Sequence, residues 1–413
     1  MNGLLSLKPQ IKRNLIFLFT SGLLFWTGIT IMLPVLPAYI QDMGATTQQV
    51  GLVMGCFAIG LLCSRTWLGQ IADRRGRKIV LLIGTMVAAV APLGYIFSQT
   101  IGGLAGIRAF HGISIAAFTI GYSALVVDYA PREYRGTLIG YMNLAVPIGM
   151  GVGPALGGYL ATSTNYPTIF VVSAFCGFVA SVLSSQLKLK HLGKELESEN
   201  KWLDKPVRGF KDLISNSALV IPGVVLFLIG LVYGSLIAFL PLYVRELDLA
   251  FNVGLFYTVV AIASFTIRIF IGRISDNHGR GILITCSIVC YIISMILLAR
   301  TDRAEMLLLT GVVQGSGAGI LLPTMVALIS DRSYNNERGK VFALCLGGFD
   351  VGMALAGPVL GFFETYISYR GVYSIAAVLA TIALVVFLTR CNKDLAHSLG
   401  FALGKEKDAF ALD

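Results

Sequence analysis

Runs of about 20 apolar residues recur twelve times in this chain, and a run of that length is what an α-helix needs to cross the hydrocarbon core of a bilayer. The runs cover 14–40, 49–68, 79–98, 102–127, 137–160, 168–187, 218–244, 252–271, 282–299, 304–329, 341–362 and 371–390. Only 13% of the 413 residues are charged, against about 25% in a soluble domain. Mean hydropathy is +0.78. Lipid can surround that much apolar surface, whereas water cannot. The first run follows Lys8, Lys12 and Arg13, as the apolar part of a secretory leader would. It is far longer than the roughly 7–15 residues of that apolar part, so it reads as an uncleaved first span.

Connections between the runs are short except for a polar stretch at 188–216 with seven Lys or Arg and five acids. It separates two sets of six. The expected domains are therefore a six-helix bundle over 1–187, a linker over 188–217, a second six-helix bundle over 218–391 and a tail over 392–413. The tail reads as weakly amphipathic and loosely placed, and one short interfacial helix around Val207–Ile214 is an option for the linker. With both termini cytoplasmic, 25 of the 32 basic residues fall on the cytoplasmic side and Arg245, Arg300, Arg303 and Arg370 fall outside. That asymmetry is the positive-inside pattern, and it accounts for the net charge of +10. A nucleic-acid surface would instead cluster its charge on one water-exposed face. The seven cysteines are odd in number and lack metal-type spacing, so free thiols are expected. No cofactor and no metal are expected.

The two sets of six resemble each other at an offset of 203–204 residues. Leu36-Pro37-Ala38-Tyr39 matches Leu240-Pro241-Leu242-Tyr243. Arg65, Gly69, Asp73, Gly76 and Arg77 match Arg268, Gly272, Asp276, Gly279 and Arg280. Asp128, Arg135 and Gly136 match Asp331, Arg338 and Gly339, and Gly153, Pro154 and Gly157 match Gly357, Pro358 and Gly361. Halves in the same orientation imply parallel repeats about an axis along the membrane normal, with a substrate cavity at the midplane.

Three motifs stand out. The loop after the second span reads Gly69-Gln70-Ile71-Ala72-Asp73-Arg74-Arg75-Gly76-Arg77-Lys78. Two segments read Asp-x6-Arg-Gly, from Asp128 and from Asp331. The fifth span holds Gly149, Gly153, Pro154, Gly157 and Gly158, where glycines permit close helix contact and a proline bends the helix. With these motifs the chain resembles the major facilitator superfamily over nearly its whole length. The resemblance implies an all-α membrane protein of twelve transmembrane helices in two pseudo-symmetric six-helix bundles. The first motif resembles the family's G-x-x-x-D-R-x-G-R-K signature, which implies a gating role for Gly69, Asp73, Arg74, Gly76 and Arg77 and for Asp276 and Arg280 in the repeat. The Asp-x6-Arg-Gly pairs, Asp128 with Arg135 and Asp331 with Arg338, resemble its charge-relay motif, whose carboxylates and guanidiniums can pair and part during gating. The fifth-span motif resembles G-x-x-x-G-P-x-x-G-G, typical of the drug:proton antiporter branch.

Ionisable groups within spans are costly and point to function. Asp350 in the eleventh span is the one carboxylate near the middle of any run, and Arg108 and His111 lie three apart in the fourth. Arg108 and Gly112 resemble the family's fourth-helix R-x-x-x-G motif, in which the arginine is linked to proton transfer; His111 stands where the family often has Gln. Asp350 could carry the proton, His111 could relay it, since free imidazole titrates near neutrality, and Arg108 could steady a nearby acid or grip an anionic substrate. A buried structural Asp–Arg pair is the alternative. Many antiporters of this type carry an acid in the first span, which this chain lacks. Trp26, Thr30, Tyr122, Tyr233 and Gln314, with Pro323, are candidates for cavity walls.

The leading expectation is a proton-coupled exporter of drugs or metabolites working by alternating access, a monomer in the inner cell membrane whose partners are a small-molecule substrate, protons and lipid. An importer or symporter of an organic anion or sugar is the alternative. An enzyme is not expected, since neither HExxH nor GxSxG occurs. A sensor, scaffold or channel fits the two-fold repeat less well.

Overall fold

The computed structural model describes residues 9–131, 135–188, 210–334 and 337–412, without side-chain surroundings for 135, 210, 211, 214 and 271–278. Among these residues the chain is α-helical with no strand. The helices are α1 (Pro9–Thr30), α2 (Leu36–Asp42), α3 (Thr47–Arg75), α4 (Arg77–Phe97), α5 (Ile101–Tyr129), α6 (Arg135–Asn143), α7 (Ala145–Ser163), α8 (Tyr166–Ser185), α9 (Phe210–Ser215), α10 (Ser217–Glu246), α11 (Val253–His278), α12 (Arg280–Ala299), α13 (Ala304–Asp331), α14 (Arg338–Arg390) and α15 (Leu395–Ala402). Among the described residues, ten helical segments are long and apolar enough to cross a membrane. The 53 residues of α14 would measure about 80 Å as one helix, more than twice a bilayer core. Ser368 breaks it with φ 59 and ψ 172, giving the eleventh and twelfth spans. With α1 and α2 as the first, the all-α membrane architecture matches the expectation.

Proline explains where the first span departs from one straight helix. α1 stops at Thr30, four residues before Pro34, whose ring has no N–H to give the Thr30 carbonyl and would clash with it. The repeat position of Pro34 is Ala238, and α10 runs unbroken through it. Some helix starts carry side-chain caps. Thr46 and Gln49 form a reciprocal capping box on α3, Thr100 caps α5 and Asn165 caps α8.

The chain divides into two compact units, Met1–Lys190 with Ile237–Ala261, and His191–Leu236 with Ile262–Asp413. In unit 1 the core gathers Leu18, Phe25, Phe118, Tyr122 and Leu125, with Phe25 stacked on Phe118 at 3.8 Å between centroids. In unit 2, α10 and α14 approach backbone to backbone, since a Cβ on Gly230 would strike the Phe349 carbonyl and one on Gly352 the Phe227 carbonyl. Most of the linker, including Val207–Gly209, lies outside the described residues; α9 covers Phe210–Ser215.

The tight turns after α3 and after α11 are built on repeat-related glycines. Gly76 has φ 100 and ψ 151, and Gly279 has φ 81 and ψ 162. That region of backbone space is essentially reserved for glycine, and another residue there costs of order 1–3 kcal/mol. A Cβ added at either position would have no atom within 4 Å, so the penalty is one of backbone alone. Gly76→Ala and Gly279→Ala should each lower the melting temperature of the purified protein, by similar amounts; no loss at either would contradict this turn geometry.

Candidate functional site

The glycines of the fifth-span motif line two faces of α7. On one face Gly149, Gly153 and Gly157 meet α1 and the turn that follows it. A Cβ at Gly149 would lie 2.5 Å from the Trp26 Cβ, one at Gly153 would fall on the Thr30 hydroxyl, and one at Gly157 on the Ile31 carbonyl. Thr30 is buried, donating to the Gly149 carbonyl at 3.0 Å and to the Trp26 carbonyl at 2.7 Å. The other face meets the start of α11, which belongs to the same unit. A Cβ on Gly158 would fall on Asn252, one on Gly254 would strike the Pro154 carbonyl, and one on Gly151 would touch the Ala261 Cβ at 3.5 Å. Thr258 donates to the Gly151 carbonyl at 2.9 Å. At this end of unit 1 Asp42 accepts from Arg245 and from Tyr166, each at 2.5 Å.

The opposite end of unit 1 holds the signature loop. Arg77 pairs with Asp128, joining the start of α4 to the end of α5. Lys78 donates to the Ser185 and Leu187 carbonyls, each at 2.7 Å, which places a cation on the C-terminal end of α8. In unit 2 the repeat-related Arg280 pairs with Asp331 and also donates to the Ala327 carbonyl. Asp73, Arg74 and Arg338 are exposed, and no atom lies within 4 Å of a Cβ placed on Gly69. The side chains of Arg135 and Asp276 lie outside the described residues.

A polar cluster is enclosed in unit 1 between α3, α4 and α5. Arg108 is 5% exposed and His111 fully buried. The Arg108 guanidinium sits over the Phe57 ring, 4.4 Å from its centroid, and reaches the Tyr95 hydroxyl. That hydroxyl lies 3.3 Å from His111 Nδ1. Arg108 Nε and His111 Nε2 have no hydrogen-bond partner, and among the described residues no carboxylate is within ion-pair distance of Arg108. A buried guanidinium resting on a ring face is a costly arrangement in a membrane.

The sequence profile of the Major Facilitator Superfamily matches residues 18–281 and 250–406. The chain belongs to that superfamily. Among curated relatives of this superfamily protein are a multidrug resistance efflux pump PmrA homolog of Lactococcus lactis, 26% identical over 91% of the chain and 93% of the relative, and the multidrug resistance protein MdtG of Salmonella choleraesuis, 26% identical over 89% and 92%. A third is the staphylopine export protein of Staphylococcus aureus, 23% identical over 92% and 97%. The fold is shared with the nucleoside transporter NupG, at a TM-score of 0.77 and 16% identity over 91% of this chain and 99% of that one. The human organic anion transporter MFSD10 aligns at 0.66 and 16%, over 92% and 100%. The chain is thus a membrane transporter of the Major Facilitator Superfamily.

Asp350 lies on α14 in unit 2, half-buried, one residue beyond the close approach of Phe349 to Gly230. Tyr233 packs on Phe349 at 5.8 Å. Trp26 borders α7, and Tyr122 donates to the Met142 carbonyl at 2.8 Å. Gln314, the repeat counterpart of His111, accepts from Ser294 at 2.5 Å and leaves its Nε2 without a partner. The structure thus brings Arg108 and His111 together and adds Phe57 and Tyr95, which the sequence reading missed. Their only signal was an aromatic ring within a span, which most spans contain.

Glycines of the two motifs should respond differently to one added methyl. Gly157→Ala overpacks a backbone carbonyl and should cost about 1–3 kcal/mol. Gly69→Ala meets open space inside a helix and should stabilise by about 0.5–1 kcal/mol. Thermal unfolding of the two variants checks the contrast, and equal responses would contradict it.

Proposed function

We propose that this transporter is a proton-coupled exporter of small organic molecules. The observation that carries the reading is the two-faced glycine surface of α7. One face fixes α7 to α1 through backbone contact and the Thr30 hydrogen bond. The other meets the start of α11 as closely, at Asn252 and Gly254, with the Thr258 hydroxyl bonded across it to the Gly151 carbonyl. A smooth glycine face can part from its neighbour and re-form without side chains changing rotamer, which suits an alternating-access cycle. The export proteins among its relatives support the same direction. In this reading the basic ends of the helices are cytoplasmic, as the positive-inside pattern requires, and both termini lie there. The bundles are 1–187 and 218–391, and the protein works as a monomer.

Asp350 is the proton carrier, taking a proton from outside and releasing it inside as substrate leaves. Arg108 and His111 form the second polar element. Arg108 Nε and His111 Nε2, both buried and unpartnered, are free to meet a substrate group, a water or a proton. The Arg77–Asp128 and Arg280–Asp331 pairs act as gates, with Asp73, Arg74, Arg135, Asp276 and Arg338 around them.

One observation favours import of an organic anion instead. Arg108 has no carboxylate at ion-pair distance among the described residues, and α1 carries no acid, so a cationic drug lacks its usual counter-charge there.

Inverted vesicles with an acidified interior and a pH-sensitive dye separate the two readings. Addition of a transported compound, found in a panel of drugs, sugars, organic acids and metabolites, should release protons with the native protein and not with Asp350→Asn. Arg108→Lys keeps the charge but loses the planar stack on Phe57, and should slow transport about tenfold, equivalent to roughly 1.4 kcal/mol. Uptake into whole cells that depends on the protein, with no proton release on any compound, would establish the importer.

A further inference from the structure

The segment after α14 reads from sequence as loosely placed, yet it is folded tightly onto unit 2. Asp394 caps α15 through the His397 N–H at 2.9 Å. Ser398 is buried, its hydroxyl accepting from the Asn392 N–H at 2.9 Å. The Ala402 carbonyl accepts from Thr285 of α12 at 2.9 Å, and the Phe401 carbonyl lies where a Cβ on Gly281 would fall. Phe401 also packs on Phe387 of α14. Further on, the Leu412 N–H donates to the Asp331 carbonyl at 2.7 Å.

The fastening is Arg332, whose side chain is fully buried. Its guanidinium grips Asp408 with two bonds, Nε to Oδ2 at 2.8 Å and a terminal nitrogen to Oδ1 at 2.9 Å. It also donates to the Ala218 carbonyl of α10 and the Cys391 carbonyl at the end of α14, each at 2.8 Å. Phe401 and Phe410 lie beside it, 5.9 and 5.3 Å from ring centroid to guanidinium carbon. Such a bidentate, fully bonded buried pair is strongly destabilising to break, because losing either partner strands a charge.

The internal repeat shows what is particular to this half. Arg332, Ala218 and Cys391 correspond at the repeat offset to Tyr129, Asn14 and Lys188. In unit 1 the Tyr129 hydroxyl and the Asn14 amide both donate to the Lys188 carbonyl, at 3.1 and 3.0 Å. Both halves thus tie the end of the last helix to the ends of the first and fourth. Unit 2 replaces a tyrosine with an arginine whose longer reach and charge recruit Asp408.

We propose that residues 392–412 form a strap, bolted by Arg332–Asp408, that joins the basic ends of α10, α12, α13 and α14 into one block and holds Asp331 where its carboxylate meets Arg280. Resting on the gating role proposed above for Arg280–Asp331, the strap controls how readily that pair opens. The contact is direct. Leu412 binds the backbone of Asp331, the residue whose side chain pairs with Arg280, and Arg332 follows it in the chain.

Cys391 reports on the strap. It is fully buried beneath the segment, with its thiol directed at the Ser398 carbonyl. Burial pushes that thiol up to about 11, with Arg332 pulling the other way. In permeabilised membranes, maleimide labelling of Cys391, read by peptide mass spectrometry against the same protein unfolded in dodecyl sulfate, should be nearly absent in the native chain. Asp408→Ala strands the Arg332 charge and should raise the labelling rate by roughly tenfold or more. Asp408→Asn keeps one acceptor oxygen and should give a smaller rise, and it serves if the alanine variant fails to assemble. The drop in melting temperature caused by Arg280→Ala should also shrink in the Asp408→Ala background, since residues sharing a network are non-additive. Native Cys391 labelling as fast as in dodecyl sulfate, or strictly additive effects of Arg280→Ala and Asp408→Ala, would overturn the strap.

Discussion

A bilayer offers no water to the backbone, so each crossing segment must satisfy its own N–H and C=O groups as a helix. The rest of the molecule follows from that demand. Between helices in lipid there is no hydrophobic gain from association, so close packing and hydrogen bonds hold the bundle together. The glycine face of α7 supplies that closeness in unit 1, with Thr30 bonding across it to the Gly149 carbonyl. In unit 2 the small residues partly change sides. Gly230 and Gly234 on α10 stand at the repeat positions of Trp26 and Thr30 on α1, and they admit α14 instead. The same backbone proximity is reached with the bulk exchanged between partners.

Polar groups are then placed where they are satisfied or where they are useful. At the basic ends, Arg77–Asp128 and Arg280–Asp331 join neighbouring helices within each unit. Deeper in unit 1, Arg108 rests on Phe57 and His111 on Tyr95, with two nitrogens left open. The contrast with Arg332 is instructive. That arginine is equally buried, but its bonds to Asp408 and to two carbonyls complete its coordination. One buried arginine is thus built for holding and the other is left with capacity to spare.

Much of this was legible in the sequence. Apolar run length placed the spans, the 203–204 offset announced the repeat, and the glycine turns at Gly76 and Gly279 follow from the signature. Helix interruptions were harder. Pro34 could have signalled the end of α1, but nothing at Ser368 marks a break in the 53 residues of α14. Partners of charges were harder still. Spacing within the Asp-x6-Arg-Gly segments suggests partners inside each segment, and nothing in it points to Arg77 and Arg280, with which Asp128 and Asp331 pair. Arg332 counted in sequence only as one more cytoplasmic cation, because its value depends on Asp408, which lies 76 residues away.

The central claim is that the α7–α11 contact must part for transport. It is tested most directly by closing that contact covalently. Gly151 and Ala261 lie with their Cβ positions 3.5 Å apart, at the short end of the range a disulfide spans. In the double variant Gly151→Cys, Ala261→Cys, oxidation should stop substrate-driven proton release, reductant should restore it, and neither single variant should respond. Full transport with the cross-link formed would show that this contact stays closed throughout the cycle and would contradict the account.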